Sequence, residues 1–235
     1  MNLIHRGINS LIKLALKTAC RIHTEALEKI PLKGPLISII NHINFIEAPI
    51  LATFAAPRPM APVAKVETWD NLVKRFLFDM WGGIPIKRGE ADRSALRLVL
   101  EALEKEKIVG IAPEGTRSHH GGLQQGHPGV ILMALKADVP ILPVVIYGSE
   151  RLWENLRRLK RTDIYIDVGD PFRIDSHGQS MAREVRQQIT AEIMYQLAAL
   201  LPPENRGIYA DLQNATSHYL AFEPGASDNL SRAMA

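Results

Sequence analysis

The sequence has a single cysteine, Cys20, so no internal disulfide framework can brace it, and this suits a reducing compartment. Cys20 falls in a stretch that reads as helix with no partner beside it, which argues against a thiol nucleophile. No run of about 18 uninterrupted apolar residues occurs, so a spanning helix is not predicted. Aromatics make up only 6% of the chain, and few of them accompany the basic residues. Trp81 and Trp153 therefore read as core or interface residues, and nucleic acid is not an expected partner. The G-x-S-x-G elbow, the P-loop and G-x-G-x-x-G are all missing, which removes the anchors of serine hydrolase, P-loop nucleotide and dinucleotide readings. His119, His120 and His127 share a loop without the carboxylate or cysteine needed to complete a metal set, so no metal is expected there.

Acid is absent from the first 24 residues, whereas Arg6, Lys13, Lys17 and Arg21 all lie there. On a helix these cations fall on one side, and Ile4, Ile8, Leu11, Ile12, Ala15, Ala19 and Ile22 fall on the other. A basic face without acids is what an anionic bilayer surface selects, while the bland alternative is a helix packed on its own domain. The segment is not a secretory signal, because cations interrupt its apolar positions and no small-residue cleavage pattern follows. Over the whole chain the net charge is +3 and the pI about 9.0, which favours anionic partners without choosing among them.

With 235 residues and 46% hydrophobic content, the chain can bury roughly 70% of its unfolded surface in one core. Strand-like and helical runs alternate. Residues 35–40, 61–65, 84–86, 108–112, 141–147 and 164–168 read as strands, and residues 45–54 and 181–200 as helices. Another helix carries Trp69, Leu72, Val73, Phe76, Leu77 and Met80 at i, i+3, i+4 spacing and stops at Gly82-Gly83. Asp92 is placed to cap a further one. This alternation predicts an α/β fold, a single domain with a mixed, largely parallel sheet flanked by helices. The expected division is 1–30 as the amphipathic segment, 31–202 as the catalytic domain and 203–235 as an extension with a mobile end.

The stretch SIINHINFIEAPIL, residues 38–51, can be read in two ways. Asn44 followed three residues later by Glu47 is close to a capping box, with Asn44 accepting from the N–H of residue 47 and Glu47 from that of residue 44. Alternatively, a strand-to-helix bend lets Glu47 hold one nitrogen of His42. The other nitrogen is then free to take a proton, as in a general base with an orienting acid. Further on, GIAPEGTRS ends a strand in Glu114-Gly115-Thr116-Arg117, whose N–H groups, hydroxyl and guanidinium suit a phosphate monoester.

Four ordered blocks, N-H-x-x-x-x-E at residues 41–47, G-x-I-P-I-x-R at 82–88, A-P-E-G-T-R-S at 112–118 and V-P-I-x-P-V at 139–144, resemble those of the glycerolipid acyltransferase family. The resemblance is strongest to the bacterial 1-acylglycerol-3-phosphate acyltransferases. Lys65 resembles the family's lysine ahead of the second block. Three departures from the pattern stand out: Glu47 stands for the usual aspartate, Ala112 for an aromatic, and Gln124-Gln125 where lysine is common.

The resemblance implies a glycerolphosphate acyltransferase-like fold and transfer of an acyl group from acyl-CoA or acyl carrier protein to 1-acyl-sn-glycerol-3-phosphate, giving phosphatidic acid. Glycerol-3-phosphate, another lysophospholipid, a lyso-aminolipid or a non-catalytic lipid-binding relative are the alternatives. It implies His42 and Glu47 as the catalytic pair, and Lys65, Arg88, Glu114, Gly115, Thr116 and Arg117 as the acceptor's binding residues. No cofactor is implied, and the protein is expected on the cytoplasmic face of the cell membrane, peripheral or monotopic.

Overall fold

The computed structural model describes residues 3–55, 58–87, 89 and 92–234. Helix α1 (Leu3–Ala19) leads into strand β1 (Cys20–His23), and β2 (Leu36–Ile40) is followed by α2 (Glu47–Phe54). Strand β3 (Met60–Lys65), α3 (Leu72–Trp81), β4 (Ile84–Ile86), α4 (Arg93–Glu104) and β5 (Ile108–Ile111) come next. Then follow α5 (Gly129–Ala137), β6 (Ile141–Tyr147), α6 (Leu152–Arg157), β7 (Thr162–Val168), β8 (Phe172–Ile174), α7 (Arg183–Leu200), β9 (Leu220–Phe222) and α8 (Asn229–Met234).

Among the described residues nine strands form one sheet with the path β1-β7-β6-β2-β5-β3-β4, and β8 bridges β6 to β9. The pairs β2–β5, β2–β6, β3–β5, β3–β4 and β1–β7 are parallel, whereas β6–β7, β6–β8 and β8–β9 are antiparallel. The expected mixed, largely parallel sheet is therefore present. Its centre is β2, whose apolar side chains feed both faces. Ile37 and Ile39 join the core under α4, α5 and α7, and Leu36 joins the core under α2. Because β2 to β6 run parallel, their C-terminal ends open on one edge, where open α/β sheets place their ligands.

Asp92 caps α4 as its position predicts. One carboxylate oxygen accepts the N–H groups of Ser94 and Ala95, both at 3.0 Å, and the other accepts that of Lys87 at 2.9 Å. The Lys87 and Ala95 amides and the Ser94 hydroxyl hold its pKa down to about 2. Such a depressed carboxylate stabilises the fold above its ordinary pKa of 3.8, and that contribution is lost as pH falls through about 2. Asp92→Ala is expected to lower unfolding free energy by about 1 kcal/mol at neutral pH, and the gap to wild type should close in acid-denaturation curves below pH 4.

Several expectations are corrected. Helix α1 ends at Ala19, not near residue 30, because Cys20 to His23 pair with Thr162 to Tyr165 as an edge strand. Cys20 is thus a buried strand residue, its thiol pushed up by burial. No residue of α1 is fully buried. Ile8, Ile12 and Leu16 turn partly inward, Leu3, Ile4, Leu11 and Leu14 face outward, and Lys13 lies over the Phe54 ring, 4.6 Å from its centroid. The stripe on α3 also points the other way, with Leu72 79% exposed and Val73 and Phe76 outward, while Trp81 is buried and donates to Asn9. Trp153, by contrast, is more than half exposed.

The segment after α7 is docked on the domain through residues 216–229. Buried Glu192 accepts from the Thr216 hydroxyl (2.6 Å) and the Tyr219 N–H (2.9 Å), and buried Asn229 donates to Gln196 (2.8 Å) and accepts from the Asp170 N–H (2.8 Å). The segment looked unstructured in sequence because polar side chains, not an apolar period, dock it. Among the described residues no helix is long and apolar enough to cross a membrane.

Candidate active site

At the end of β2 the backbone turns, and His42 and Glu47 meet across that bend, with Nδ1 3.0 Å from Oε2. Glu47 is only 3% exposed, and a carboxylate so buried needs partners. It has them: the Asn44 N–H lies 3.0 and 3.1 Å from its two oxygens, and the Ser149 hydroxyl is 3.3 Å from Oε1. With an acceptor-only carboxylate opposite, the imidazole must donate from Nδ1. That tautomer leaves the Nε2 lone pair available on a side chain that is 30% exposed.

Both readings of residues 38–51 describe part of this arrangement. Glu47 reaches back to the Asn44 N–H as in a capping box, and the same carboxylate holds His42. The other half of the box differs: Asn44 Oδ1 accepts from the Ile46 N–H at 2.9 Å instead of from residue 47, and its amide donates to the Ser149 carbonyl. Helix α2 accordingly begins at Glu47 and not at residue 45.

Glu114 is buried as well, and its oxygens are taken by backbone donors, Oε1 by the His42 N–H (2.7 Å) and Oε2 by the Gln124 N–H (2.9 Å). Burial raises its pKa, against the pull of those two amides. The loop after β5 then runs alongside the histidine, with the Ser118 N–H on the His42 carbonyl (2.8 Å) and the His119 N–H on that of Ile43 (3.1 Å). These bonds bring Gly115, Thr116 and Arg117 beside His42. Gly115 takes φ +64°, and Thr116 and Arg117 are exposed. Lys65 ends β3 in the exposed rim of the same sheet edge. Arg88 lies outside the described residues; in sequence it follows β4 by two positions.

Two supports escaped the sequence reading. Asn41 exchanges two hydrogen bonds with Ile146, at 2.9 and 2.8 Å, which fixes the turn into His42 against β6. Ser149 completes the cradle of Glu47 from the end of β6. The one signal for it is Gly148, which sits at φ +90° and where a Cβ would lie 2.4 Å from the Asp163 carbonyl oxygen. Gly148→Ala is expected to cost roughly 2–3 kcal/mol by thermal unfolding and to reduce turnover by displacing Ser149.

His42 and the EGTR loop thus lie side by side at the open edge of a parallel sheet, with the exposed Thr116 hydroxyl and Arg117 guanidinium carried on that loop. The chain's residues 21–147 match the family described as Acyltransferase. It is 27% identical over 188 residues to the 1-acyl-sn-glycerol-3-phosphate acyltransferase of Salmonella typhimurium, covering 79% of this chain and 74% of that one. It is 26% identical to the lyso-ornithine lipid O-acyltransferase of Pseudomonas aeruginosa, covering 74% and 72%. The fold resembles the crystal structure of the 1-acyl-sn-glycerophosphate (LPA) acyltransferase PlsC from Thermotoga maritima. In that comparison the TM-score is 0.60 and the identity 24%, over 81% of this chain and 76% of that one.

Proposed function

The chain belongs to the acyltransferase family, and from this we propose that it moves a fatty acyl group from a thioester, acyl-CoA or acyl carrier protein, to the free hydroxyl of 1-acyl-sn-glycerol-3-phosphate. The observation that carries the reading is the His42–Glu47 pair, with Nδ1 held and Nε2 unpartnered among the described residues. Nε2 takes the proton of the acceptor hydroxyl as its oxygen attacks the thioester carbonyl. The C–S bond breaks as the tetrahedral adduct collapses, and the proton passes to the departing thiolate. Catalysis by such a base contributes about 10² to 10⁴ in rate. Glu47 holds the tautomer and compensates the imidazolium.

Arg117, Thr116 and Gly115, with Lys65 at the end of β3 and with Arg88, bind the acceptor's phosphate and so align its hydroxyl with Nε2. Glu114 takes a different part from the acceptor-binding one its motif implied. A buried carboxyl whose two oxygens are each taken by a backbone amide, those of His42 and Gln124, faces inward and not toward an acceptor, so it positions the histidine's backbone. The outward leucines of α1, free of acids, rest on the cytoplasmic membrane surface and bring the enzyme to its lipid acceptor.

The test is thiol release from a long-chain acyl-CoA or acyl carrier protein with 1-acylglycerol-3-phosphate, glycerol-3-phosphate or lyso-ornithine lipid as acceptor. Release dependent on the first supports the assignment. Release with only the lyso-ornithine lipid would transfer it to the other relative's chemistry.

A further inference from the structure

Helix α6 ends in a turn that places a leucine where glycine is usual. The Leu159 N–H bonds the Leu156 carbonyl (3.1 Å) and the Lys160 N–H that of Asn155 (2.9 Å), a closure that puts Leu159 at φ +54°. Among the described residues the other non-glycine positions with positive φ are Glu106, His119, Asp138 and His177, all polar. Leu159 is also 95% exposed, so its side chain returns nothing to the fold for either the strained backbone or the hydrated surface.

Its surroundings explain what the side chain is for. Residues 151–161 carry Arg151, Arg157, Arg158, Lys160 and Arg161 against the single acid Glu154. Arg161 donates to the carbonyls of Lys17 and Cys20, both at 2.6 Å, and so fastens the turn to the end of α1. Leu156 and Leu159 face Leu11 and Leu14 of α1 across a groove of about 550 Å³, with Lys160 and Arg161 also in its lining. At its other end α6 carries exposed Trp153, whose ring lies 5.7 Å from that of Phe45 in the loop between His42 and Glu47. Apolar and cationic groups therefore continue from α1, across the turn, to the loop that holds the catalytic base.

We infer that α6 and its leucine turn, residues 151–161, form a second bilayer contact alongside α1, with Leu159 inserted among the acyl chains and the flanking arginines and lysine on anionic phospholipid headgroups. The inference rests on the reading of the protein as a lysolipid enzyme that works at a membrane. Cations alone would serve to hold an acidic carrier protein. A leucine kept exposed at positive φ is instead what insertion into hydrocarbon rewards, and an exposed tryptophan at the other end of α6 suits the same kind of surface.

The experiment uses full-length protein, wild type and Leu159→Gly, with vesicles of phosphatidylcholine alone or with about 30% phosphatidylglycerol. Glycine relieves the backbone, so the unfolding midpoint should rise by about 2–4 °C while partition onto the anionic vesicles falls roughly tenfold. Lys160→Glu should weaken partition onto the anionic vesicles and leave the neutral ones unchanged. Turnover of Leu159→Gly on a short-chain, monomerically dispersed acceptor should match wild type.

A midpoint that rises with unaltered partition overturns the inference, and so does a midpoint that falls, which would make Leu159 a packing residue. Weaker binding of acyl carrier protein with unchanged vesicle partition would give the surface to a protein partner and also overturn it. Since partition needs no turnover, loss of partition in Leu159→Gly from a protein inactive on every acceptor would sink the proposed reaction and leave this contact standing.

Discussion

His42→Ala should lower acceptor-dependent thiol release by about 10² to 10⁴ with little change in the unfolding midpoint. The imidazole gives one hydrogen bond to Glu47, and when it is gone the carboxylate keeps the Asn44 N–H and the Ser149 hydroxyl, so the buried charge is not orphaned. The fold loses about 1 kcal/mol at most from that bond, whereas the reaction loses the imidazole that Glu47 orients. Parallel measurements of thiol release and thermal unfolding decide the matter. A variant that keeps more than about a tenth of the wild-type rate would remove His42 from the chemistry.

Glu47→Gln should damage both properties. The Asn44 N–H, within 3.1 Å of both oxygens, and the His42 Nδ1–H can only donate to this side chain, and an amide offers one oxygen where the carboxylate offers two. Whichever way the amide turns, its NH₂ group faces the Asn44 N–H at a position that is 3% exposed. Turnover should fall by roughly 10²-fold as the imidazole loses its tautomer and its counter-charge, and stability by about 1–3 kcal/mol. The size of the rate effect separates the two roles. A variant destabilised by that amount but turning over at the wild-type rate would leave Glu47 as a helix cap alone.

Residues 38–51 show how far sequence reasoning reaches. In the sequence a helix cap and an acid that orients His42 compete for Glu47, but the structure needs no choice, because one carboxylate reaches both the Asn44 N–H and the His42 ring. Ser149 illustrates the opposite limit. It lies 102 positions from Glu47, and nothing short of the β2–β6 pairing brings them together. Likewise Glu114 belongs to a motif whose Thr116 and Arg117 are exposed, and only its buried bonds to His42 and Gln124 reveal that it holds the backbone of His42.

The alternation of short apolar strands with amphipathic helices, the order of the four blocks and the spacing of His42 and Glu47 were determined by the sequence itself. These depend on local backbone preference and on which residues share a face, and both are written in the residue order. Which way each face turns was decided by the tertiary structure. The regular stripe of α3 faces outward, the first apolar set splits between α1 and an edge strand, and a polar C-terminal segment is buried by its own hydrogen bonds. Periodicity fixes the relative direction of side chains along one element, but burial depends on what packs against it, and here those partners come from positions far away in the chain.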